Sequence, residues 1–284
     1  MIYAIGHLNT APIRSNASHS SEMTSQLLFG EPVEVLEKRG KAWVKVRCAW
    51  DNFIGWMHSQ QLTLITPTEF ESYQRNGAYS LELCQPALGP DFFLPLTFGA
   101  QLPEYDGLRF SLGEHRYQFA GQTLGIGAVP PSRSMVVKLA RKYLRAPFLP
   151  GGRSIFGMDA GGLTQMVYKL AGLRLPRDIE QQLHSGEPVD FIEQAHPGDL
   201  AFFENRNGKI THTGILLDNQ TIVHAYGMVR IDQIDHFGIF HDQEHRYSHR
   251  LRLIKSLLPE ENNIASPSGQ TNADAIPVDQ LMLF

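Results

Sequence analysis

Two histidines, His212 and His224, lie twelve residues apart in a stretch of short strands, downstream of a helix whose start is marked by Asp159. Histidines so placed suit nucleophilic peptide chemistry when three parts coincide. A cysteine peptidase needs a thiolate at a helix N-terminus, a histidine to take its proton, and a third group to orient that histidine. The helix N-terminus lowers the thiol pKa because its unpaired N–H groups favour negative charge. Residues 147 to 224 supply nearly all of that frame. Pro147-Phe-Leu-Pro-Gly-Gly152 leads through Phe156-Gly-Met-Asp159 into the helix. Leu175-Pro-Arg177, Pro197-Gly-Asp-Leu-Ala-Phe-Phe203, His212-Thr-Gly-Ile215 and His224-Ala225 follow in order.

The elements that must position these groups change character along the chain. Val33-Glu-Val35 and Trp43-Val-Lys-Val46 alternate apolar and polar between turn signals at Gly30, Gly40 and Asp51-Asn52, which predicts short strands up to about residue 64. Phe93-Leu-Pro-Leu96, Phe110-Ser-Leu112 and Tyr117-Gln-Phe119 continue the β pattern to about 128. Frequent glycines and short strands fit two small barrels or sandwiches better than one long sheet. After Pro130-Pro131 the period becomes helical. Ser132 or Ser134 caps a helix carrying Val136, Leu139, Ala140, Tyr143 and Leu144 on one face. A second helix runs from about Ala160 to Ala171, with Leu163, Met166, Val167 and Leu170 on its apolar side. Strands are predicted at 200–203, 213–217, 221–223 and 251–254, with a turn at Asp218-Asn219. Helices followed by an antiparallel sheet give an α+β order. From Pro259 the chain is polar and reads as a disordered tail.

Composition narrows the function classes. At 284 residues and 42% hydrophobic content there is apolar material for one large or several small cores. The net charge of −4, with Lys and Arg scattered, lacks the basic footprint of a nucleic-acid binder. No run of eighteen apolar residues exists, so no membrane span is expected. Cys48 and Cys84 cannot make a disulfide framework, and the first residues lack a signal-peptide pattern. A cytoplasmic location is the expectation, with no cofactor and no metal. The oligomeric state is not legible.

The six ordered motifs, spanning roughly 120 residues, resemble the NlpC family of cell-wall peptidases, also called NlpC/p60. Members carry P-Y-x-W-G-G, D-C-S-G at the catalytic helix, L-P-R, P-G-D-L-x-F-F, H-V-G-I and a second histidine about twelve residues on. The β modules are similar to paired bacterial SH3-like domains of one subgroup, at Glu22-Met-Thr-Ser-Gln26, Phe29-Gly-Glu31 and Gly55-Trp56. The resemblance implies an α+β chain with a papain-like NlpC domain at 129–257. Two small all-β SH3-like barrels at 1–64 and 65–128 would precede it, with a tail at 258–284. It also implies a γ-D-glutamyl-L-diamino acid endopeptidase acting on peptidoglycan-derived peptides with a free N-terminal L-Ala.

Carried over residue by residue, His212 matches the general base and His224 its orienting partner. Asp159 matches the aspartate that helps bind the substrate amine, and Gly161, Glu22 and Trp56 fall on substrate-binding positions. The nucleophile position holds Ala160, the following serine is Gly161, and the upstream tryptophan is Pro150. Alanine has no lone pair, so covalent catalysis cannot run through this position. Three readings follow: a chain that binds cell-wall peptides without cutting them, an active peptidase whose cysteine was changed by engineering, or a scaffold for a protein partner. Outside this frame each histidine would read as an ordinary strand residue, and Asp159 as a plain helix cap. His236, His241, His245 and His249 read as solvated loop residues, because a four-residue spacing aligns ligands only on a helix.

Overall fold

The structure, a computed structural model, describes residues 1–258, so the segment read as a tail lies outside the described residues except for Leu258. The first β region is an antiparallel sheet of seven strands. Its order is Met23–Leu28, Thr10–Arg14, Ile54–His58, Trp43–Cys48, Pro32–Arg39, Ile2–Gly6 and Leu62–Ile65. Strict alternation shows in Trp43–Cys48, where Val44, Val46 and Cys48 turn into a core with Ile13, Val33 and Met57. Cys48 is thus a packing residue, and burial pushes its thiol pKa well up.

Helix α1, Pro67–Arg75, interrupts the stretch read as all-β. Its start is a capping box. Thr66 Oγ1 accepts from the Glu69 N–H at 3.2 Å, and Glu69 Oε2 accepts from the Thr66 N–H at 2.7 Å. Pro67 at the first helical position costs no hydrogen bond there. Beyond α1 lie a four-stranded sheet (Phe93–Thr97, Cys84–Leu88, His115–Gln118, Arg109–Leu112) and a three-stranded one (Gln101–Pro103, Gly77–Ser80, Thr123–Gly125). Their core of Leu94, Leu96, Phe110, Tyr117 and Phe119 also takes in Ile5 and Phe29 from the first sheet. Phe29 meets Phe110 edge-on at 5.6 Å. The two β regions therefore share apolar packing.

Helix α2, Arg133–Lys142, is capped by Ser132, which accepts from the Met135 N–H. Helix α3, Ala160–Leu170, is capped by Asp159. Both lie against an antiparallel sheet in the order Glu187–Val189, Arg246–Ser256, Leu200–Glu204, Ile210–Leu216, Thr221–Tyr226, Met228–Ile234 and Gly238–His241. Gly238–His241 also pairs with Arg246–Ser256, which closes six of the strands on themselves. Leu163, Met166, Val167 and Leu170 of α3 pack in one core with Phe202, Ile215 and Val223 of the sheet. Every residue of α3 is buried, including Lys169, so the helix has no solvated face. The fold is α+β and mostly β.

Lys169 survives burial because Glu31 reaches it from the first sheet. Glu31 Oε1 accepts from Lys169 Nζ at 2.5 Å and from Arg153 at 3.0 Å, and Oε2 accepts from Arg153 at 2.8 Å. The Leu28 N–H adds a fourth donor at 2.8 Å. Arg153 belongs to the hairpin Arg153–Ser154/Gly157–Met158 that leads into α3. It also donates to the Gln26 carbonyl, and its own N–H to the Gln26 side chain. Burial alone would push the Glu31 carboxyl up, but Arg153 and Lys169 together hold it at about 2.

Glu31→Ala strands two buried cations and is expected to cost about 3–5 kcal/mol, read by chemical denaturation. The pH dependence has a definite sign. The Glu31 pKa is lower in the folded than in the unfolded chain, so its stabilisation, roughly 3 kcal/mol, is complete above the ordinary value of 4.5 and is lost as pH falls toward 2. The variant's stability should be correspondingly flatter over that window.

Candidate functional site

The mouth of α3 is built on Asp159. Its Oδ1 accepts from the Gly162 N–H at 2.7 Å, and its Oδ2 accepts from the Gly151 N–H at 2.8 Å and from Arg177 at 2.6 Å. Asp159 thus caps the helix, anchors the approaching loop, and holds the arginine of the Leu175-Pro-Arg177 motif. Ala160, the first helical residue, is 4% exposed and opens onto a cleft of about 570 Å³. Glu22, Met23 and Thr24 of the first sheet form one wall. Pro150, Asp159 and Ala160 form the floor, and Lys209 to His212 the far side. The cleft thus lies between the first sheet and the start of α3.

His212 and His224 sit on adjacent strands of the closed sheet. His212 Nε2 lies 2.9 Å from His224 Nδ1, and His224 Nε2 lies 3.0 Å from Asp232 Oδ2. A carboxylate only accepts, so His224 carries its proton on Nε2 and offers the Nδ1 lone pair. His212 then donates from Nε2, leaving Nδ1 as its free acceptor. That is the tautomer a general base requires. Asp232 is held in turn by Arg230 at 2.7 Å, and Arg230 by His241 at 2.9 Å. Burial, aided by His249 and His224, lowers the His212 pKa well below the ordinary histidine value. Burial also lowers His224 against the opposing pull of Asp232. For Asp232, burial acts upward, but the bonds from His224 and Arg230 leave its pKa lowered.

The structure brings Ala160, His212, Asp159 and Glu22 to one cleft, with His224 directly behind His212. It does not bring Trp56 or Gly161 there. Trp56 is buried in the first sheet, with Arg39 and Lys45 over its ring at 5.5 and 6.0 Å. Gly161 faces inward, and a Cβ built on it would lie 2.8 Å from the Arg177 carbonyl oxygen. The position therefore demands glycine, whereas the resemblance had suggested a substrate-binding role. Thr164, one turn on, is buried, and its hydroxyl donates to Gln182. Cys48 and Cys84 lie in the β regions, away from the cleft.

Two of the four histidines read as loop residues are placed otherwise. His241 is buried against Arg230, and His249 is half-buried with its ring stacked on His212 at 4.0 Å. Both occupy strands, Gly238–His241 and Arg246–Ser256, and His249 faces its partner Ile239 across that pair. The alternation of Arg250-Leu-Arg-Leu-Ile254 extends back to His249, and that was the available signal. Asp232 and Arg177 were also missed as site residues. For Asp232 the hairpin gives a clue: with a turn at Gly227, His224 pairs with Arg230, and Asp232 lies two residues further along.

Residues 145–246 match the NlpC/P60 family, and residues 13–62 match the bacterial dipeptidyl-peptidase Sh3 domain. The γ-D-glutamyl-L-lysine dipeptidyl-peptidase of Bacillus subtilis (strain 168) is 28% identical over 226 residues, covering 71% of each chain. The protein of the same name from Bacillus cereus (strain ATCC 10987 / NRS 248) is 27% identical, covering 73% of this chain and 68% of its own. In fold, the chain is similar to the crystal structure of an NlpC/P60 family protein from Bacillus cereus ATCC 10987. That match has a TM-score of 0.76 at 19% identity, over 90% of this chain and all of that one.

Two measurements follow from the site. Burial holds His249 down to about 4 and His212 well below its ordinary value. As pH falls through 6.5 the unfolded chain takes up protons that the folded rings refuse. Stability should therefore drop between pH 6.5 and 4, with His249 contributing roughly 2–3 kcal/mol of the loss. Thermal melts of His249→Phe across that range should show a shallower slope. Gly161→Ser should destabilise by about 1–3 kcal/mol, because the new Cβ meets backbone oxygen. A denaturant midpoint equal to the parent's would refute that packing argument.

Proposed function

We propose that this protein, in which an NlpC/P60 domain over residues 145–246 follows a bacterial SH3 domain over residues 13–62, binds short peptidoglycan-derived peptides without hydrolysing them. The observation that carries this reading is Ala160: a methyl group stands at the N-terminus of α3, on the same cleft as His212, where a nucleophile would be needed. The base and its supports are otherwise assembled, from His212 through His224 to Asp232. A proton acceptor with nothing to deprotonate performs no acyl transfer. Thr164 is no substitute, since its hydroxyl is buried and committed to Gln182.

Binding needs only the polar lining, which persists. We place the free ammonium of an N-terminal L-Ala against Glu22 on the first-sheet wall of the cleft and Asp159 on its floor. Charge-assisted hydrogen bonds of that kind are about twice as strong as neutral ones. The γ-D-Glu-diamino acid bond would then lie across Ala160. The names of the Bacillus relatives support this peptide class.

Calorimetry with L-Ala-γ-D-Glu-diaminopimelate should show saturable binding. N-acetylation of the peptide, or Glu22→Gln in the protein, should weaken it about ten-fold, since either removes one charge from the pair. No binding at millimolar peptide would favour a scaffold role. In a release assay for L-Ala-D-Glu the protein should be silent, because loss of a nucleophile costs on the order of a million-fold. Ala160→Cys should restore release, and adding Gly161→Ser should reduce it again.

A further inference from the structure

His249 lies outside the motifs shared with peptidases, yet it completes a cluster with the two motif histidines. One ring nitrogen from each of His212, His224 and His249 lies within 4.8 Å of the others, the one such grouping among the described residues. We infer that these three side chains form a binding site for a single divalent transition-metal ion of the zinc type. The inference goes beyond the peptide-binding reading and does not rest on it.

Four observations converge. First, the donors are of the right kind and face inward. His212 Nε2 and His224 Nδ1 already approach to 2.9 Å. His249 engages Ser248 through Nδ1 at 2.8 Å, which leaves Nε2 for an ion. Second, the distances are close to those required. Zinc–nitrogen bonds of about 2.0–2.1 Å in a tetrahedron set ligand nitrogens roughly 3.3 Å apart. No pair need close by more than about 1.5 Å, and the His212–His224 pair, now at 2.9 Å, opens by about 0.4 Å. The ring of His249 now lies stacked on that of His212 at 4.0 Å, so its side-chain torsions must turn it off that face for its in-plane lone pair to meet the ion. Third, the outer contacts are those of a metal-bound imidazole. His224 donates its other N–H to Asp232, and Arg230 fixes the second oxygen of that carboxylate. Such a partner sets the tautomer and raises ligand basicity. Fourth, Phe203 and Tyr226 flank the cluster, their rings packing on His249 at 6.0 and 5.1 Å. Apolar walls of this kind limit solvent at the ion.

Binding requires no net loss of protons from the protein. His212 moves its single ring proton from Nε2 to Nδ1, and the Nε2 lone pair takes the place of the hydrogen bond to His224. Three imidazoles leave a fourth tetrahedral position for water. The arrangement also converts His212: with the ion bound, Nδ1 carries a proton and ceases to be a base.

The test uses the full chain stripped of metal by chelation. Zinc titrated alone in a calorimeter should bind at one equivalent, and cobalt should give the visible absorption of a low-coordinate nitrogen site. His249→Ala should weaken binding at least a hundred-fold. Asp232→Asn, which keeps every ligand, should weaken it about ten- to a hundred-fold. His236→Gln and His184→Gln, both exposed and outside the cluster, should change nothing. If His249→Ala lowers the melting temperature, His249→Gln fills the same space and decides. The inference is overturned by the absence of saturable binding at millimolar zinc. It is equally overturned by binding that survives loss of His249 or that falls with His236 or His184.

Discussion

A single carboxylate, Glu31, sits between two buried cations, Arg153 and Lys169, more than 120 positions along the chain, and the relation of the first sheet to α3 follows from it. Lys169 belongs to α3, whose first residue Ala160 lines the cleft, and Arg153 to the hairpin leading into that helix, whereas Glu31 lies beside the strand Met23–Leu28 of the first sheet, whose start forms the other wall. An unpaired ion in that interior costs several kcal/mol even after relaxation. The two halves therefore cannot separate without exposing three charges and opening the core around them. With one carboxylate for two cations, Lys169 is the weaker member, and burial draws its pKa down while Glu31 opposes. Trp50 and Tyr79 add ring faces near its ammonium at 5.5 and 5.2 Å.

This clamp sets where Glu22 stands relative to Ala160, because Gln26 on the same strand as Met23 is tied to Arg153 by two hydrogen bonds. Gly151 comes so near the Met23 carbonyl that a Cβ there would lie 2.4 Å from its oxygen, and its φ of +80° favours glycine. The cleft is thus held by close backbone approach on one side and by buried charge behind it. Asp159 completes the frame by spending its oxygens on Gly162, Gly151 and Arg177. A site held in this way keeps its shape whether or not the residue at its centre can react.

The histidine chain has the same character. From His212 through His224, Asp232 and Arg230 to His241, each hydrogen bond fixes the tautomer or orientation of the next group. Buried polar networks are stable when every member is satisfied and costly when one is missing. The methyl group of Ala160 stands at the cleft end of this network and takes no part in its hydrogen bonds.

The sequence by itself determined what depends on near neighbours. Ser132 and Asp159 announce their helices because a cap acts over three residues. The capping box at Thr66 and Glu69 was equally legible, though the β pattern around it drew the stretch to be read as all-β. The α+β order, the histidine pair and the inert methyl at Ala160 were likewise written in local pattern and spacing. What the tertiary structure decided depends on residues far apart in the chain. Glu31 meets Arg153 across 122 positions and Lys169 across 138, and no periodicity reports such a pairing. It also turned Gly161 inward against Arg177, withdrew Trp56 beneath Arg39 and Lys45, and closed the sheet so that His249 stacks on His212. Short-range pattern fixes which face a side chain takes, but only the packed chain fixes what that face meets.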